Sequence, residues 1–270
     1  MIAIKTVAVA ALATAAAAVG AVNAAVKDVT IVARDYAFEV PDTLQAGRTR
    51  ITLKNLGTEL HHVQMMRLEE GKTLKDVFAA LQAGGPPPAW AKEVGGPNTP
   101  VPGGESRTSL VLKPGRYGII CFIPSPDGKP HVMKGMAKEF VVVGKDEKPA
   151  ALAVTSEIVL KDYDFVLSKP LVAGKNVIRV VNEAEQPHEV VFAKLAPGKT
   201  PHDVVAWVDK PDGPPPGAPI GGTTGIAKGG ENVVELDLAP GEYGMICFIP
   251  DHKDGKPHFV HGMVKTFTVK

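Results

Sequence analysis

The sequence predicts an all-β protein made of two tandem β-sandwiches, each with one short helix in a long connection, and three observations lead there. Apolar residues alternate with period two, as over Arg50 to Leu53, so that His61, Val63 and Met65 share one face and Tyr117, Ile119 and Cys121 another. The 270 residues include 28 glycines and 24 prolines, which suits a chain with many turns better than a helical bundle. The chain also repeats itself. Shifted by 127 positions, Asp35, Tyr36 and Phe38 fall on Asp162, Tyr163 and Phe165, Asn55 on Asn182, and His61 on His188. The shift is 126 where Pro114, Gly115 and Tyr117 match Pro240, Gly241 and Tyr243, and it returns to 127 at His131 and His258.

In chain order, residues 1–24 read as a secretory signal. Lys5 opens a run of small apolar residues, and Val22, Asn23 and Ala24 form a small-residue cleavage pattern. The run is alanine-rich and short of bulky side chains, which favours removal over a transmembrane anchor, and no cysteine near the cut offers a lipid attachment point. A periplasmic or secreted protein is expected, with no stable membrane insertion after signal removal. The repeat places domain one at 26–146, a linker at 147–153 and domain two at 154–270. Ala46–Gly47, Pro114–Gly115, Ala173–Gly174 and Pro240–Gly241 mark turns. Thr73 with Asp76, and Thr200 with Asp203 after Pro201, read as capped helix starts. The segments from Gly84 to Gly104 and from Asp212 to Gly230 are too rich in proline for central strands and are expected as loops. Trp90, without an aromatic counterpart, receives no chemical role.

Charge excludes one class of partner. Lysine plus arginine (30) nearly balances aspartate plus glutamate (29), so no strong overall field would attract nucleic acid. Two cysteines in an exported chain raise the prospect of a disulfide. Cys121 and Cys247, however, hold equivalent interior positions of separate copies, and a bridge needs Cα atoms within about 7 Å. Two separate thiols are expected.

Those cysteines head the stretch that carries chemistry. Cys121, Phe122, Ile123 and Pro124 are followed by His131 and Met136, and Cys247, Phe248, Ile249 and Pro250 by His258 and Met263. A histidine lies about sixty residues upstream in each copy: His188 in the second, and His61 or His62 in the first, where phase with Val63 and the match to His188 favour His61. A thiolate, two imidazoles and a thioether form a soft-leaning set that suits copper in either oxidation state. Zinc would favour a further Cys, His or carboxylate over a thioether, and an iron–sulfur cluster needs more cysteines. Pro130 and Pro257 restrict the backbone before the loop histidines, and Gly135 and Gly262 allow a tight turn or close approach before the methionines. Met133 lacks that preceding glycine and matches Val260. His202, His252 and His261 occur in one copy only and are expected to face solvent.

This pattern resembles the cupredoxins, the blue or type 1 copper proteins, over nearly all of both repeats. Pro187 to Phe192 is similar to the first-histidine segment of plastocyanin, and Tyr243 to Cys247 with His258, Gly262 and Met263 to its ligand loop. The long Cys–His gap is closer to that of copper nitrite reductases. The resemblance implies Greek-key sandwiches, two copper ions, and single-electron transfer with redox partner proteins near the loop histidines. It implies His61, Cys121, His131 and Met136 for one copper and His188, Cys247, His258 and Met263 for the other. The asparagine that often follows the family's first histidine is replaced by His62 and Glu189. No enzyme is expected, because the cysteines are preceded by Ile120 and Ile246 rather than flanked by a histidine, and no His-x-His pair occurs. Periplasmic copper storage or delivery, or a metal-free binding module, are the alternatives.

Overall fold

The computed structural model describes residues 25–83, 87–146, 149, 152–210 and 212–270. The signal segment 1–24 and linker residues 147, 148, 150 and 151 lie outside the described residues. In the first repeat the strands are β1 (Lys27–Arg34), β2 (Ala37–Glu39), β3 (Thr43–Gln45), β4 (Gly47–Asn55), β5 (Gln64–Leu68), β6 (Ala91–Gly95), β7 (Glu105–Leu112), β8 (Gly115–Ile120) and β9 (Ala137–Val143). In the second they are β10 (Ser156–Lys161), β11 (Asp164–Leu167), β12 (Gly174–Asn182), β13 (His188–Leu195), β14 (Gly217–Ile226), β15 (Glu231–Leu238), β16 (Gly241–Ile246) and β17 (Val264–Val269). Helices α1 (Leu74–Gln82) and α2 (Pro201–Asp209) start at the expected caps, with Thr73 and Thr200 in capping boxes with Asp76 and Asp203.

Each repeat is a two-layer sandwich with connections that cross between layers, as in a Greek key. β4 lies in one sheet and β5 in the other; the chain returns to the first sheet at β7 and leaves it again at β8. The segment after β1 splits, with β2 pairing antiparallel to β1 while β3 runs parallel to β9 in the opposite sheet. Each sandwich has its own core, and each core contains its cysteine and its loop methionine, Cys121 with Met136 and Cys247 with Met263. Tyr117 and Tyr243 are buried and donate to the carbonyls of Lys113 and Ala239, tying each final hairpin to the strand before it.

The two sandwiches do not hang apart on a linker. One eight-stranded sheet runs β11-β10-β12-β15-β7-β4-β1-β2, and one nine-stranded sheet runs β17-β16-β13-β14-β6-β5-β8-β9-β3. The repeats therefore share both sheets. β7 pairs antiparallel with β15, Thr108 opposite Val234, which is its own counterpart in the other copy. In the other layer Pro97 bridges Thr223, again its own counterpart, and Ile226–Val94 mirrors Pro100–Ile220. These self-paired positions mark a local twofold axis through the molecule.

This arrangement corrects the expectation that the proline-rich segments are only loops. β6 and β14 are central strands, and the reason they can be lies in where the special residues fall. Pro219 sits at a register shift opposite Ala193, where a ladder hydrogen bond is not required. Gly96 and Gly222 let neighbouring strands of the same repeat approach closely beside the axis: a methyl group on Gly96 would stand 2.3 Å from the Val63 carbonyl, and one on Gly222 2.0 Å from that of Val190. Polar side chains close the seam. Gln64 donates to the Gly225 carbonyl at 3.0 Å and accepts its N–H at 2.8 Å, and Arg50 bonds Glu235 at 2.7 Å.

Gly222→Ala combines this overlap with a left-handed φ of +131°, and is expected to lower stability by more than about 2 kcal/mol. Gly103→Ala, at φ +76° with open space around it, should cost about 1 kcal/mol. Urea midpoints of the two variants check the contrast.

Candidate metal centre

Each site is assembled from two backbone features. The first histidine follows a turn that a buried asparagine holds: Asn55 Nδ2 donates to the Glu59 carbonyl at 2.8 Å while Oδ1 accepts from Gly57, and Asn182 does the same with Gln186 and Ala184. The cysteine directly follows β8 or β16 and is tied back to the methionine segment. Cys121 N donates to the Met136 carbonyl and Met136 N to that of His131, as Cys247, Met263 and His258 do in the second copy. Pro130 and Pro257 precede single turns of 3-10 helix, His131–Lys134 and His258–His261. Gly135 and Gly262 end those turns at φ +98° and +103° with open space around them, so of the two roles expected for these glycines the turn is the operative one.

Three of the four expected residues come together in each repeat. His61, Cys121 and His131 form one group and His188, Cys247 and His258 another, with donor atoms within 4.8 Å of one another and all six side chains fully buried. In the first group His131 Nδ1 lies 3.0 Å from His61 Nδ1 and 3.4 Å from Cys121 Sγ. In the second, Cys247 Sγ lies 3.9 Å from His188 Nδ1 and 3.4 Å from His258 Nδ1. Met136 and Met263 are also fully buried. Both cysteines are free thiols, as the repeat required.

The outer nitrogens decide what this arrangement can hold. His61 Nε2 meets Asp35 at 2.6 Å, His131 Nε2 meets Glu59 at 2.8 Å, and His188 Nε2 meets Asp162 at 3.0 Å. A carboxylate accepts, so these contacts assign the ring proton to Nε2 and leave Nδ1 as a bare lone pair. In the first site two such lone pairs then face each other at 3.0 Å, an arrangement that is repulsive until a cation stands between them. Burial pushes the pKa of His61 down against the pull of Asp35, which disfavours a second proton on that ring. Burial also pushes the Cys121 thiol up to about 12 and raises that of Cys247, so a thiolate persists here only beside a compensating positive charge. The donor set thus fits a soft, partly imidazole-seeking metal such as copper.

The residues after the first histidines have a visible role. His62, buried and held neutral with its pKa pushed down to about 3, accepts the Phe122 N–H at Nε2 (3.0 Å), and Glu189 accepts the Phe248 N–H at Oε1 (3.0 Å). Both bind the amide just beyond the cysteine. Glu189 also accepts from Asn98 of the first repeat at 2.9 Å, so the second site is anchored across the seam.

Several contributors escaped the sequence reading. Asp35 and Tyr36 match Asp162 and Tyr163 between copies, a visible signal to which no role was attached; the two aspartates back the first histidines and the two tyrosine rings lie edge-on to the loop histidines. Glu59 and Asp251 could not be found by matching, because their counterparts are Gln186 and Ser125. His202, His252 and His261 are exposed, as expected. Asp251, Asp254 and His261 form a third group, but its His261–Asp254 contact at 3.2 Å repeats the Lys134–Asp127 ion pair of the first copy at 3.1 Å. Among the described residues no helix is long and apolar enough to cross a membrane.

No family model and no curated protein matches the chain. Solved structures with similar folds include an auracyanin from the photosynthetic bacterium Roseiflexus castenholzii, 22% identical, covering 44% of this chain and 99% of that one at a TM-score of 0.33. They also include a copper nitrite reductase from Nitrosomonas europaea (12% identical, 91% and 94% covered, TM-score 0.26) and a blue copper oxidase from the same organism (15%, 90% and 85%, TM-score 0.25). An auracyanin, a nitrite reductase and an oxidase stand together among these neighbours, and scores this low assign no role. The β-sandwich architecture is the cupredoxin-like fold expected from the sequence.

A half-buried carboxylate beside the seam makes stability depend on pH. Burial, with Glu189 nearby, raises Glu93 from 4.5 to about 7. The folded state prefers the protonated form, so this contribution is complete below pH 4.5, declines as pH rises to 7, and is absent above it. Glu93→Gln is therefore expected to gain about 1–2 kcal/mol over the parent at pH 8 and nothing at pH 4, read from denaturant midpoints at both values.

Proposed function

We propose that the chain is an exported tandem cupredoxin that holds one copper ion per repeat and passes single electrons between redox partner proteins. The ligands are His61, Cys121, His131 and Met136 in the first repeat and His188, Cys247, His258 and Met263 in the second. The observation that carries this reading is the pair of imidazole lone pairs turned toward each other beside a buried thiol, with their outer nitrogens committed to carboxylates. When bound, copper would supply a one-electron couple between Cu(II) and Cu(I). The protein's part is to keep the donors still. The asparagine-held turns fix the first histidines, the Cys–Met backbone pairing fixes the loop, and the amide held by His62 or Glu189 fixes the chain next to the cysteine. Donors held this way need little rearrangement as the charge on the metal changes.

The signal-like segment 1–24 supports a periplasmic or secreted location. Near-neutral charge supports protein partners over nucleic acid. Met133 and Val260, counterparts in the two loops, are 64% and 54% exposed, which supports docking beside the loop histidines. A catalytic role is not favoured, since Ile120 and Ile246 stand where a histidine would connect the cysteine to a second copper. Full burial of the ligands weighs against rapid copper exchange, and hence against a delivery role.

Loading the mature protein with Cu(II) should give two coppers per chain and intense thiolate-to-copper absorption with a matching electron paramagnetic resonance signal. Cys121→Ser and Cys247→Ser should each remove about half. Weak absorption with copper that chelators remove quickly would replace electron transfer with metal handling, and no stoichiometric copper would overturn the assignment.

A further inference from the structure

The two loop histidines differ in how their outer nitrogen is satisfied, and the difference comes from an exchange of residues between two loops. In the first repeat the carboxylate is Glu59, from the turn before the first histidine; it bonds His131 Nε2 at 2.8 Å and accepts from Tyr36 at 2.7 Å. Ser125, in the cysteine loop, donates to the Tyr36 hydroxyl at 3.2 Å. In the second repeat these two positions carry Gln186 and Asp251. The carboxylate has moved to the cysteine loop. There Asp251 accepts from Tyr163 at 2.5 Å, Gln186 at 2.8 Å and the Lys253 amide at 2.7 Å. Its nearest approach to His258 Nε2 is 3.8 Å, too long for a hydrogen bond, and that nitrogen is buried without a partner.

We infer that this exchanged carboxylate is a positioning residue that sets how strongly each site prefers Cu(II) over Cu(I): Glu59 acts on the first site through His131, and Asp251 is withheld from the second. The inference rests on copper occupying both sites. A carboxylate that accepts the Nε2 proton makes Nδ1 a stronger donor and adds negative charge near the metal, and both effects favour the more highly charged ion. Other groups also differ between the sites. Lys134 lies over the Tyr36 ring where the second copy has His261, and Glu189 stands where the first has His62. The test therefore compares each site with its own variant.

Midpoint potentials are measured on copper-loaded full-length protein, the first site in a Cys247→Ser background and the second in a Cys121→Ser background. Glu59→Gln should reduce the first site's preference for Cu(II) about tenfold, which is about 59 mV upward for a one-electron couple. Adding Ser125→Asp recreates the second copy's arrangement and should leave that shift in place. In the other direction, Gln186→Glu with Asp251→Ser should move the second site about tenfold toward Cu(II), whereas Asp251→Asn alone should move it less than about threefold. A second readout needs no copper: proton spectra of the metal-free protein should show a slowly exchanging Nε2–H for His131, lost in Glu59→Gln, and one for His258 only in the Gln186→Glu/Asp251→Ser variant. Copper-loaded sites whose potentials ignore these exchanges, or shift the opposite way, overturn the tuning role alone. A folded protein that binds no stoichiometric copper overturns the proposed function, and the tuning role with it, whatever the proton spectra show.

Discussion

A buried imidazole has two nitrogens to satisfy, and that constraint organises the space around both sites. A ring that offers one lone pair inward must dispose of an N–H outward, and in a dry interior the N–H needs an acceptor. Asp35, Glu59 and Asp162 are such acceptors, and each is placed by the turn it sits in or touches. Asp35 is in turn held by the Thr58 amide and hydroxyl, which pulls its carboxyl well below the ordinary range despite the opposing effect of burial. The turn that delivers the first histidine thus also fixes the anion behind it. The buried His–Cys–His groups are the inner part of a network that continues through these carboxylates.

The shared sheets give that network a rigid frame. Because Glu189 is bonded to Asn98 and Gln64 to Gly225, each repeat supplies polar contacts that the other needs. Gly96 and Gly222 beside the axis bring main chains within each repeat closer than side chains would permit. Packing at the seam and geometry at the sites are consequently one problem, solved by residues far from each other in sequence.

Much of this was legible in the chain. Period-two alternation and the 127-residue repeat revealed the sandwiches, and the capping boxes at Thr73 and Thr200 revealed both helices. The Cys–His spacing and the matched upstream histidines revealed the three side chains that converge in each copy. The shared sheets were not legible, because pairing of β7 with β15 depends on which edges meet in space, and proline in β14 argued against a central strand until the register shift at Pro219 was seen. The outer carboxylates were hidden for another reason. Comparing copies finds residues that stay the same, whereas the carboxylate that accepts from the site tyrosine comes from different loops in the two copies, Glu59 in the first and Asp251 in the second.

The local axis also bears on why two sandwiches should be one chain. Strands that pair with their own counterparts would let a single repeat assemble with a second copy of itself, but every side chain would then occur twice, at equivalent places. A covalently joined pair is free of that rule. Thr224 can hold one side of the seam and Asn98 the other, Glu189 can occupy one centre and His62 the other, and the two interiors can be given unlike electrostatics without either sheet changing its course. Fusion turns a symmetric scaffold into one with a distinguishable front and back.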